Sequence, residues 1–82
     1  MPTIDRFRGL RVVIYPNDHR PPHVHVIGRG CEAVFCLNCP SGPPQLRSVL
    51  RFDDHELSTI AAWLASRMSQ ACLSWSRIHG YH

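Results

Sequence analysis

His23–Leu37 reads H-V-H-V-I-G-R-G-C-E-A-V-F-C-L, and the pattern of its opening residues is the most informative local signal in the chain. Alternation with period two marks a half-buried strand, whose successive side chains point to opposite faces. Val24 and Val26 then face one way, and His23, His25 and Ile27 the other. Gly28-Arg29-Gly30 supplies a three-residue turn whose glycines are free to take positive φ. Cys31–Leu37 is a second β-forming run, so the two runs pair as an antiparallel hairpin.

Working outward, Leu10–Tyr15 (L-R-V-V-I-Y) is rich in β-branched residues and reads as a further strand, preceded by a polar opening. Pro16 and Asn17-Asp18 end it with turn chemistry, and His19–Pro22 is a loop stiffened by two prolines. On the other side, N-C-P-S-G-P-P at Asn38–Pro44 is a loop. Gln45–Phe52 holds a short fourth strand. The last third reads as one helix. Asp53 caps it and Glu56, three residues on, completes a capping-box pair. Leu57, Ile60, Ala61, Leu64, Met68, Ala71, Trp75 and Ile78 fall on one helical face, and Gly80 marks the end. Residues 1–82 are thus expected to form a single small α+β domain: an antiparallel three- to four-stranded sheet packed by one long C-terminal helix.

Bulk properties narrow the function classes. A chain of 82 residues has a small core of marginal stability, which a partner, a second copy of the chain or a metal would reinforce. No apolar run approaches the roughly 20 residues of a membrane span, and M-P-T-I-D-R-F-R lacks the apolar core of a signal peptide, so a cytoplasmic location is expected. Without export, Cys31, Cys36, Cys39 and Cys72 are expected as free thiols. The net charge is +3, and all nine basic residues are arginine. Arginine grips phosphate and carboxylate through a planar fork, so RNA or an acidic protein partner suits this surface.

The chemistry concentrates in Asp18–His25, D-H-R-P-P-H-V-H. His23 and His25, at i and i+2 of a strand, share one face about 6–7 Å apart at Cα. His19 precedes the Pro-Pro pair and can fold back on them. Three imidazoles can act as acid and base near neutral pH, or hold a transition metal such as zinc. Asp18 can orient an imidazole beside it. The catalytic candidates are His19, His23, His25, Arg20 and Asp18, in a reaction that needs no cofactor. The metal alternative takes His19, His23 and His25. Arg11, Arg20 and Arg29 form a phosphate-contacting patch if they share the histidine face. Cys36-x-x-Cys39 is half of a zinc-ligand pattern, and Cys72 is expected to pack. The bland alternative is a solvated loop of histidines and scattered surface charge.

These residues resemble a known family. Met1-Pro2-Thr3-Ile4 with Phe7 and Gly9, then L-R-V-V-I-Y, D-H-R-P-P-H-V-H-V, E-A-V-F and Leu73-Ser74-Trp75 are similar to the small bacterial proteins grouped as domain of unknown function 4160 (DUF4160). The H-x-P-P-H-x-H core is matched position by position. The resemblance implies one half of a toxin–antitoxin pair, with a small protein partner encoded nearby, and no agreed biochemical activity. The Cys36-x-x-Cys39 element and N-C-P-S-G-P-P depart from the family pattern. Three functions remain open: a toxin-like component acting on RNA by metal-independent phosphoryl transfer, a non-catalytic module binding protein or nucleic acid, and a histidine-ligated metal protein.

Overall fold

The computed structural model describes residues 3–79. Five strands, β1 (Thr3–Phe7), β2 (Leu10–Val13), β3 (His23–Gly28), β4 (Cys31–Cys36) and β5 (Gln45–Leu50), form one antiparallel sheet in the order β1-β2-β3-β4-β5. Two helices follow, α1 (Asp54–Ala65) and α2 (Met68–His79). The class is α+β, as expected, with one strand more and the helix in two pieces.

The added strand is β1, in what reads as a polar opening. It pairs with β2 around Arg8-Gly9, with Phe7 opposite Leu10 and a register irregularity between Thr3 and Asp5. The bulge obscures its alternation: Ile4 and Phe7 both pack against the core, three residues apart.

The β3–β4 hairpin keeps the expected faces. Val24 and Val26 are fully buried, while His25 lies opposite both Val13 and Val34 on the other face. Its turn is shorter than expected. Arg29 and Gly30 take φ of 53° and 74°, the two left-handed central residues of a tight hairpin, and Gly28 still belongs to β3. Gly28 is required by close approach instead, because a Cβ there would stand 2.9 Å from Leu10 Cδ2.

The core lies between one sheet face and the helices. Leu10, Val12, Ile14, Val24, Val26, Ala33, Phe35 and Leu37 meet Ile60, Leu64, Met68, Ala71 and Trp75. The buried helical residues all belong to the expected stripe, and Asp53 and Glu56 form the expected capping box. The helix breaks at Ser66–Arg67. The Ser66 hydroxyl donates to the Trp63 carbonyl at 2.6 Å and the Ser66 amide turns to the same oxygen, which tightens the last turn of α1. Gly80, the expected helix stop, lies outside the described residues.

The meander gives the sheet two unlike ends. The short turns at Arg8 and Arg29 lie with the start of α1, and the long connections 14–22 and 37–44 lie at the opposite end with α2, which meets them through His79 and Cys72. The histidines stand at the second.

Candidate functional site

The connection between β2 and β3 is folded by its own aspartate. The Tyr15 amide donates to Asp18 Oδ2 at 3.2 Å, and the Asp18 amide returns a bond to the Tyr15 carbonyl at 3.0 Å. This reciprocal turn aims the Asp18 carboxylate back at the start of β3. There Oδ2 stands 3.4 Å from His23 Nε2 and 3.3 Å from His25 Nε2. The second prolyl residue is also fixed, since its carbonyl accepts from the Leu37 amide at 2.9 Å.

Both rings are held from behind. His23 Nδ1 donates to the Pro21 carbonyl at 2.9 Å, and His25 Nδ1 donates to Glu32 Oε2 at 3.0 Å. His23 is 7% exposed and packs against His25 and Trp75, with ring centroids 5.3 and 5.4 Å away. Tyr15 presents an edge to His25 at 4.9 Å. On α2, His79 stacks on Trp75 at 3.8 Å, and its Nε2 lies 3.0 Å from the Asp18 carbonyl. The helix therefore backs the site through Trp75 and His79.

The candidate residues are gathered unevenly. Asp18, His23 and His25 converge, with one ligating atom from each within 4.8 Å of the others. Asp18 thus serves the two strand histidines and not its neighbour His19. His19 is exposed and lines an open depression of about 450 Å³ above them, together with Arg20, Val34, Arg47 and Ser48. Arg11 shares the histidine face but pairs with Ile27, two ladder positions beyond His25. Arg29 sits at the other end of the sheet, 3.6 Å from Glu56. The arginine patch expected from Arg11, Arg20 and Arg29 is therefore not assembled; Arg20 and Arg47 flank the site instead.

The cysteines also depart from expectation. Cys39 is disulfide-bonded to Cys72, so it is not a free thiol, and Cys36-x-x-Cys39 has no second thiolate to offer zinc. Cys72 packs against the core, as expected, and also carries the disulfide. Cys31 and Cys36 are free and half-buried.

Sequence reasoning missed Glu32, Arg47, Trp75 and His79 as parts of the site. Glu32 was open to discovery: a turn centred on Arg29-Gly30 puts it opposite Ile27, on the His25 face. Arg47 was hidden by a register irregularity between Val34 and Phe35, where β5 carries an extra residue.

A model of the DUF4160 family, described as a domain of unknown function, matches residues 9–76. The chain belongs to this family. None of the curated proteins and none of the solved structures matches this DUF4160 chain. The matched span contains every residue that builds the site except His79, whose ring reaches Asp18 from beyond it.

Proposed function

We propose that this DUF4160 chain is a toxin-like component of a bacterial toxin–antitoxin pair, acting on the phosphodiester backbone of RNA at Asp18, His23 and His25. The observation that carries the reading is the depression itself. Its floor holds two imidazoles and a carboxylate, and its walls carry Arg20 and Arg47. Arginine forks recognise phosphate bidentately, and anionic charge developing at a reacting phosphate gains from them in a partly desolvated site. The resemblance to toxin–antitoxin components adds a small protein partner. No described helix is long and apolar enough to cross a membrane.

Incubation of the purified chain with a defined RNA oligonucleotide tests this. Cleavage should fall at least 100-fold in His25→Ala, and RNA affinity should fall in Arg47→Ala, both proteins retaining the wild-type circular dichroism. Unaltered cleavage in a His23→Ala/His25→Ala double variant would sink the reading.

A second reading, a non-catalytic binding module, is favoured by β5. The strand is exposed along its whole length, and Leu46, Val49 and Leu50 are 46, 45 and 55% exposed. An exposed apolar strand can take a partner strand by backbone pairing. Loss of partner capture in Val49→Asp, with RNA left uncleaved by the wild type, would favour that reading over the first.

A further inference from the structure

We propose that Asp18, His23 and His25 bind one divalent first-row transition ion, with Glu32 and the Pro21 carbonyl as the groups that orient the two imidazoles. The inference starts from hydrogen positions that the acceptors dictate. The Pro21 carbonyl can only accept, so His23 Nδ1 carries the proton; the Glu32 carboxylate sets His25 in the same way. In a neutral ring this leaves Nε2 with a bare lone pair. Both Nε2 atoms point at Asp18 Oδ2, itself an acceptor. Three electron-rich atoms therefore converge with no donor hydrogen among them, apart from the Tyr15 amide already bonded to that oxygen. His25 Nε2 is buried and has no hydrogen-bond partner among the described residues. Such an atom is costly unless something positive meets it.

Two kinds of cation can do so. A proton on one ring satisfies one edge of the triangle and leaves the other ring facing a carboxylate through its lone pair. A divalent ion satisfies all three at once. The two Asp18–histidine separations match an ion. Charge-assisted N–H···O bonds run about 2.7–2.9 Å, whereas ligands about 2.0–2.1 Å from a tetrahedral ion lie about 3.3 Å apart. The observed Oδ2–Nε2 separations are 3.4 and 3.3 Å. Metal-bound histidines characteristically donate the other ring N–H to a carboxylate or backbone carbonyl, and both arrangements are present.

The same count disfavours the metal-independent mechanism expected from the sequence. Each ring has Nδ1 on its orienting acceptor and Nε2 turned to Asp18, so the one bare nitrogen of each ring faces that carboxylate rather than a substrate. Two histidines and one carboxylate leave coordination positions open, and the depression with His19, Arg20, Arg47 and Ser48 lies on that side. The ligand set differs from the all-histidine alternative: Asp18 takes the place of His19.

Titration of tag-free protein with Zn²⁺ by calorimetry, and with Co²⁺ by visible absorption, tests the site without reference to RNA. One ion per chain is expected. Asp18→Asn and His25→Gln should each weaken binding at least 100-fold, Glu32→Gln about tenfold, and His19→Ala less than twofold. Circular dichroism of the metal-free proteins separates lost ligands from lost fold. Stoichiometry near zero in folded wild type would overturn the proposal, as would a His19→Ala loss as large as that of His25→Gln. Zn²⁺ binding without any RNA cleavage would refute the RNA reading alone, and cleavage that persists without metal uptake would refute only the ion.

Discussion

At the turn end of the sheet Arg29 meets Glu56 at 3.6 Å, and Asp53 and Glu56 close the cap of α1; at the loop end Asp18 faces two histidines whose remaining nitrogens are already taken. Charge at the turn end is neutralised locally, donor against acceptor, and the helix start needs nothing more. Charge at the loop end is arranged acceptor against acceptor, and the surrounding structure holds it so. Trp75 and His79 support it from α2, Glu32 from β4, and the Cys39–Cys72 disulfide ties the long connection after β4 to the same helix. An arrangement that is unfavourable in isolation and braced on several sides is the physical mark of a site, whereas a self-satisfied one is the mark of a frame.

Removing the brace should break this contrast most strongly. Trp75 is 2% exposed and carries both His23 and His79 on its ring, so Trp75→Ala should cost about 3–5 kcal/mol in chemical denaturation. It should also loosen Zn²⁺ binding, which an ordinary core truncation elsewhere would not. Cys72→Ala comes next. The bond closes a loop between residues 33 apart in sequence, worth about 2–4 kcal/mol by loop-closure entropy, and adding a reductant to wild type should reproduce the loss. At the turn end, Asp53→Ala removes the side chain that accepts from the Glu56 amide at 2.7 Å. It should cost about 1 kcal/mol and leave metal affinity untouched. Coupling between Asp53→Ala and metal affinity would erase the distinction between frame and site.

The frame was legible in the sequence because its signals are local. The hairpin faces, the cap at Asp53 and the helical stripe from Leu57 to Trp75 each rest on residues a few positions apart. The extra strand and the helix break were not legible, because a bulge near Asp5 and a hydroxyl at Ser66 acting on the backbone interrupt periodicity without changing composition. For the site, proximity in sequence misled. Asp18 was assigned to its neighbour His19, yet the turn it makes with Tyr15 swings its carboxylate to His23 and His25. Arg29 shares its strand pair with the histidines but sits at the far end of it, while Arg47 arrives from a strand 22 residues beyond His25 in the sequence. Nor does any spacing rule pair Cys39 with Cys72; that pairing follows from how α2 lies over the Pro-rich connection.

The smallest expected effect lies midway between the two ends. Arg67, beside the helix break, donates from Nε to Asp5 Oδ2 at 2.9 Å and from a terminal nitrogen to Oδ1 at 3.1 Å, pinning β1 to the helices. The Arg67 hydrogen bond, reinforced by the Arg6 amide and the Arg67 charge against some opposing burial, holds the Asp5 carboxyl below its ordinary range. Arg67 is raised by the same hydrogen bond and stays charged throughout the acid range. A carboxyl that is more acidic when folded binds its proton first in the unfolded chain. Its contribution is therefore complete above the unfolded value near pH 4, and is lost as pH falls through the lower folded value. Both groups are partly solvated, so the pair should be weak and salt-sensitive. Melting temperatures from pH 6 to 3 should fall less steeply in Asp5→Asn than in wild type, with the difference confined below about pH 4.5 and shrinking in high salt. Parallel curves would show that the clasp holds β1 by packing alone.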